Sequence, residues 1–178
     1  MDNILCKAQK RKNWKRLDKK GVIIIRIWDY RLLPYLPGLQ LKGQWRECAL
    51  IADALAKNGT PNHLLVNRVT EYPAEDFYKY CISVAREMER RGARVTQKSV
   101  DTLWNNIAKW RRTLQFQPTM FPKQYKIFDG WHNLEYLRIC YANLLEKHNG
   151  IGKSRISDEE WLRLCDGYKN ITGEEYKI

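Results

Sequence analysis

Residues 26–47 read RIWDYRLLPYLPGLQLKGQWRE: an Arg on a short apolar lead-in, a Pro-flanked turn, and an amphipathic run ending in the adjacent pair Arg46–Glu47. Beyond Gly38, the residues Leu41, Trp45, Cys48, Ala52 and Leu55 step by 4, 3, 4 and 3, the period of a helix with one apolar face. Pro37 opens this helix and Asn58-Gly59 closes it, so a helix is expected from Gly38 to Lys57. Glu47 falls two residues past Trp45, roughly 200° round the helix, and is expected to face away from the core.

The same period continues along the chain. A second helix is expected from near Pro73 to Gly92, with Phe77, Cys81, Val84 and Met88 on its buried side and Lys79, Arg86, Glu87, Arg90 and Arg91 mostly on its wet side. A third, over residues 100–114, carries Val100, Leu103, Trp104, Ile107, Trp110 and Leu114. Residues 115–128, with Pro118 and Pro122, read as a connecting loop. Asp129 is a candidate cap for a fourth helix, in which Leu134, Leu137, Tyr141 and Leu144 repeat and which Gly150 stops. Ser157-x-x-Glu160 is a capping-box signal for a short last helix to about Cys165. Toward the N-terminus, Val22–Ile25 is β-branched and reads as a short strand or an extended segment, with no second strand pattern to pair with it. The expected architecture is all-α: one compact helical domain of about five helices over residues 25–178, behind a basic N-terminal extension, residues 1–24.

Composition narrows the function. A chain of 178 residues with 44% hydrophobic content has enough apolar mass for one core, which excludes wholesale disorder. Its net charge of +12 and pI near 9.5 favour nucleic acid as partner over an anionic membrane surface. Residues 1–20 hold eight Lys/Arg against Asp2 and Asp18, which is +6, so the body keeps the other +6. The five cysteines (Cys6, Cys48, Cys81, Cys140, Cys165) are scattered and form no CxxC, which points to neither zinc nor a disulfide framework. No apolar run is long enough to span a membrane, and Val22–Ile25 is too short for a signal-peptide core, so the chain is read as cytoplasmic. No GxSxG, P-loop or GxGxxG is present.

Three groups of residues invite chemistry. Arg26 and Arg46 are placed to grip phosphates while Glu47 works at a sugar, but the spacing alone fits an ordinary mixed-charge helix face more often. Trp104, Trp110, Arg111 and Arg112 interleave rings with cations, as contact with nucleic acid requires. Core packing is the favoured reading of the two Trp, and Arg111 and Arg112 stay open. His63, His132 and His148 show no metal spacing, and His132, in Asp-Gly-Trp-His, reads as a capping or packing residue before a catalytic one.

Several pieces resemble the pyrimidine-dimer DNA glycosylase family of the phage endonuclease V type, in a bacterial branch. They are Arg26-Ile27-Trp28, Leu39-Gln40-Leu41 with Gln44-Trp45-Arg46-Glu47, residues 77–92, and Trp131-His132 followed by Leu144-Leu145-Glu146-Lys147. Gly59-Thr60-Pro61-Asn62-His63 and Arg138-x-Cys140-Tyr141 carry the bacterial-branch likeness. The resemblance covers roughly residues 25–150, with an insertion around 99–125. It implies a repair glycosylase with AP-lyase activity on damaged double-stranded DNA, working as a monomer with no metal, organic cofactor or membrane. In such enzymes the α-amine of the first residue attacks C1′ and forms a Schiff base. Glu47 then assists base departure and proton transfer, while Arg26, Arg46 and Lys147 contact DNA. Two positions depart from the pattern. The residue matching the amine-bearing nucleophile is Ile25, internal here and usable only if its amine is freed as the N-terminus. Leu50 stands where the family has a further arginine. Removal of the first residues, a lysine such as Lys20 in the amine's place, or a DNA-binding protein that does not cut are the resulting alternatives. A lysine would need its pKa, ordinarily about 10.4, lowered by about 2–3 units.

Overall fold

The computed structural model describes residues 27–60, 64–114, 126–150 and 156–174. The chain enters the described structure at Ile27 and forms a 3₁₀ helix over Tyr30–Tyr35. Six α-helices follow: α1 (Gly38–Asn58), the single turn α2 (Leu64–Asn67), α3 (Ala74–Arg90), α4 (Gln97–Arg111), α5 (Leu134–Asn149) and α6 (Asp158–Thr172). A second 3₁₀ turn, Arg68–Glu71, joins α2 to α3. No strand is present among the described residues. The all-α expectation holds, and five helices are long. Residues 1–26, with the basic arm and the Val22–Ile25 segment, lie outside the described residues, as does most of the loop expected over 115–128.

Local sequence explains most boundaries. Pro37 and Pro73 open α1 and α3. Gly59 and Gly173 close α1 and α6 with left-handed backbones, their N–H groups on the carbonyls of Leu55 and Lys169. Ser157 and Glu160 form the expected capping box, but α6 runs on to Thr172 because Leu164, Gly167 and Tyr168 continue its buried face. The helix expected over 100–114 starts earlier, at Gln97, where the Thr96 side chain accepts from Ser99 N–H. Asn133, not Asp129, caps α5: its side-chain oxygen takes the Tyr136 N–H, while Asp129 sits in the preceding turn.

The core runs from Ile27, Trp28, Leu32, Leu33 and Leu36 through one face of every long helix. α1 packs chiefly on α4 and then on α3, so the helix expected as an insertion braces the helix that carries Arg46 and Glu47. α6 packs on the first 3₁₀ helix. There Gly167 is required: a Cβ at that position would stand 2.2 Å from Cγ of Tyr35. Cys48, Cys81 and Cys140 are buried free thiols on helix stripes, as expected.

Two faces differ from the expected ones. The buried side of α1 is Gln40, Leu41, Gln44, Cys48, Ile51, Ala52 and Leu55, and Trp45 is half-buried. The helix is rotated because the Gln44 amide serves a buried backbone group that an indole at that angle would leave unpaired. On α3, Glu87 is buried instead of wet. Burial pushes its carboxyl up, but hydrogen bonds from Arg90 and Arg91 outweigh this and hold it below the usual carboxylate range. Arg91 also donates to the carbonyls of Leu33, Pro34 and Leu36, satisfying the C-terminal end of the first 3₁₀ helix.

Candidate active-site edge

Residues 27–31 are fastened by side chains distant in sequence. The Trp28 N–H donates to Gln44 Oε1 at 3.2 Å, and the Trp28 carbonyl accepts from Tyr80 Oη at 2.9 Å. The Ile27 carbonyl accepts from Tyr136 Oη. The Tyr30 N–H donates to His132 Nδ1 at 3.1 Å. Asp29, wholly buried, caps the 3₁₀ helix through the Arg31 N–H and takes the Arg31 guanidinium on both oxygens at 2.9 and 2.8 Å. Arg31 reaches on to the carbonyls of His132 and Asn133. Side chains of α1, α3 and α5 and of the turn before α5 thus hold one short piece of backbone. Extended backbone in a core must find such partners, because each lost bond leaves a desolvated polar group.

His132 lies in a box of rings, stacked on Tyr30 and Tyr136 and edge-on to Tyr80 and Trp131. Burial pushes its imidazole down to about 3, and the nearby Arg31 and Arg68 cations act the same way. It is neutral at physiological pH. Because Nδ1 accepts, the proton sits on Nε2, which has no hydrogen-bond partner among the described residues. His132 is a packing and backbone-holding residue. Burial likewise raises the hydroxyl pKa values of Tyr80 and Tyr136, which keeps both as donors.

Glu47 stands one turn beyond Gln44 on the same flank of α1, in a ridge of Gln40, Gln44, Glu47 and Ile51. It is half-buried, at the margin of the core face and not opposite it as expected, because the buried stripe is centred nearer Gln44 than Trp45. Arg46 is exposed about 100° further round, and Leu50 is 62% exposed. Ile25 and Arg26 lie outside the described residues. Lys147 is half-buried near the end of α5, about three turns beyond Tyr136, where His148 stacks on Trp161 of α6. The structure therefore puts Gln44 on the Trp28 backbone with Glu47 one turn further along the same flank, turns Arg46 to solvent about 200° round the helix from Gln44, and puts Lys147 at the far end of a different helix. Sequence reasoning missed Gln44, Tyr80 and Tyr136. A Gln centred on an apolar helix face was the available signal.

Residues 25–101 match the family model described as pyrimidine dimer DNA glycosylase. The match begins at Ile25 and covers the entry, α1, α3 and the first turn of α4. The likeness carried by Arg26-Ile27-Trp28 and by Gln44 to Glu47 holds over that segment, and the pieces quoted from α5 fall beyond it. It supports a repair function of the pyrimidine-dimer glycosylase type, with DNA as substrate. Neither a curated protein nor a solved structure matches the chain. Among the described residues, no helix is long and apolar enough to cross a membrane, and no group of three His, Cys, Asp or Glu stands together as metal ligands would.

Proposed function

We propose that the protein is a DNA glycosylase with AP-lyase activity on pyrimidine dimers or related base lesions in duplex DNA, working through a Schiff base on an amine delivered at residue 25. The observation that carries this reading is the clamp on residues 27 and 28. Tyr136 and Gln44, the latter one helical turn before Glu47 on α1, fix that backbone, and two peptide units reach at most about 7 Å back from Ile27. An amine at residue 25 is tethered within that reach of the clamped backbone, and the proposal takes Glu47 as the carboxylate it meets. The start of the family match at Ile25 is consistent with this placement.

The chemistry asks for a base that is neutral near pH 7. An α-amine, with a pKa of about 7.7–8.0, supplies it without the desolvation a lysine needs. The amine nitrogen attacks C1′ and the C1′–base bond breaks. The base leaves with its electron pair and takes a proton, and loss of a proton from nitrogen with ring opening gives the imine. Abstraction of a C2′ proton then expels the 3′ phosphate. Glu47 is the group for these proton transfers. Arg26 and Arg46 hold the backbone on either side, and Lys147 contacts phosphate farther away. A lesion that stacks poorly costs least to displace, and this directs the enzyme to damage.

A protein beginning at Ile25 and the full-length chain, each given dimer-bearing and abasic duplexes with borohydride, test the reading. It expects a covalent adduct and strand cleavage from the chain with the free amine. The alternative, a non-catalytic DNA-binding protein on the same scaffold, expects strongly salt-dependent binding with neither product from either form.

A further inference from the structure

Trp104 is the exposed aromatic that this reading leaves unused. It was expected in the core of α4. Trp110 is indeed fully buried there with Leu103 and Ile107, but Trp104 is 45% exposed. It lies about 85° from the centre of the buried stripe, at the seam with α3, and is held edge-on by Tyr78 with ring centroids 4.6 Å apart. Arg111, about two turns further along the same seam, pairs with Glu75 of α3 at 2.7 Å and keeps half of its side chain in solvent. Between the two positions stands Ala108, too small to cover the indole.

The far half of α4 is basic: residues 102–114 contain no Asp or Glu and hold Lys109, Arg111 and Arg112, while Asp101 stands one turn before Trp104 and Glu75 on the α3 side of the seam. Lys109 and Arg112 are exposed at the end of α4 and form no ion pair among the described residues. A supported, half-exposed ring on a helix that carries unpaired cations within about two turns complements a strand that offers a base face and phosphates together. A duplex hides its base faces, and an acidic peptide would leave the ring uncovered.

We propose that the α3–α4 seam at Trp104 is a second nucleic-acid site, binding single-stranded DNA by stacking a base on the indole while Arg112, about two turns along α4, and Lys109, further round the helix, meet phosphates further along the strand. It goes beyond the lesion site and lies largely outside the segment that matches the family. Only the choice of DNA over RNA rests on the proposed function.

Fluorescence anisotropy of labelled twelve-residue oligo(dT), and of oligo(U) of equal length, on the full chain at several salt concentrations tests this. Trp104→Ala is expected to weaken oligo(dT) binding about tenfold with an unchanged salt slope, and Trp104→Phe to keep most of the affinity. The double variant Lys109→Gln/Arg112→Gln is expected to flatten the salt slope. Unchanged affinity of Trp104→Ala, no oligo(dT) binding by the parent, or tighter binding of oligo(U) would overturn the proposal. Borohydride trapping on a short abasic duplex, run on the same substitutions in the chain beginning at Ile25, is expected to be unaffected by Trp104→Ala. Failure of trapping with intact Trp104-dependent binding removes the lyase reading alone, and the converse removes this site alone.

Discussion

The entry strand and the outer face of α4 handle polar and aromatic groups in opposite ways. At residues 27–31, four side chains from distant parts of the chain, with Asp29 from within it, converge on backbone groups, and the aromatic residues around them are buried. On α4, Trp104 is half in water, and Lys109 and Arg112 form no ion pair among the described residues. The first arrangement fixes a chain segment in one geometry, which suits the proposed pairing of an amine with a carboxylate. The second leaves interactions unmade until a ligand arrives. One region is built for precision and the other for capture, and α4 joins them because its inner face braces α1.

The sharpest way to break this contrast is at Glu47. Glu47→Gln keeps shape and removes the proton acceptor, so base release is expected to fall by about 10²–10⁴ while duplex affinity stays within a few-fold. Single-turnover release and anisotropy on the same dimer-bearing duplex measure both. Equal losses in the two would show that Glu47 only supports binding.

The second test is acid. His132 has its pKa lowered from 6.5 to about 3. A depressed folded-state pKa means that the unfolded chain binds the extra proton first. The stability from the neutral ring is thus complete above about pH 6.5 and is lost progressively as pH falls toward 3, by several kcal/mol. Denaturant midpoints from pH 7 to pH 4 should fall, and His132→Gln should flatten that slope. A smaller effect is expected from Gln44→Leu. It strands the buried Trp28 N–H, costs about 1–3 kcal/mol, and slows turnover more than it weakens DNA binding; urea melts and kinetics separate the two effects. The smallest is Arg46→Gln, which should lower the salt slope of duplex binding by about one unit and leave stability unchanged.

Much of this fold was legible in the sequence, for physical reasons that differ by element. α1, α3, α5 and the α6 cap announced themselves because helical period, Pro and Gly punctuation and capping boxes act within a few residues. The end of α6 was not legible: Gly167 reads as a helix weakener until Tyr35 is seen against it. Trp104 lies about 120° from Trp110 on a helical wheel, so the period alone sets it off the stripe of Leu103, Ile107 and Trp110, and reading every ring of α4 as core overlooked that. At the candidate site, Arg46 and Glu47 were visible as a pair. Gln44, Tyr80, His132 and Tyr136 were not assigned to it, because each acts on a backbone atom 16 to 109 residues away. Contacts at that separation leave no local pattern.

The central claim is that the pinned entry presents an amine at residue 25 to the Glu47 edge. Peptide mapping by mass spectrometry of the borohydride-reduced adduct, formed on an abasic duplex by the chain beginning at Ile25, addresses it directly. The account predicts a deoxyribose remnant on the α-nitrogen of Ile25. A remnant on a lysine side chain, or no adduct from protein that still binds the duplex, would contradict it.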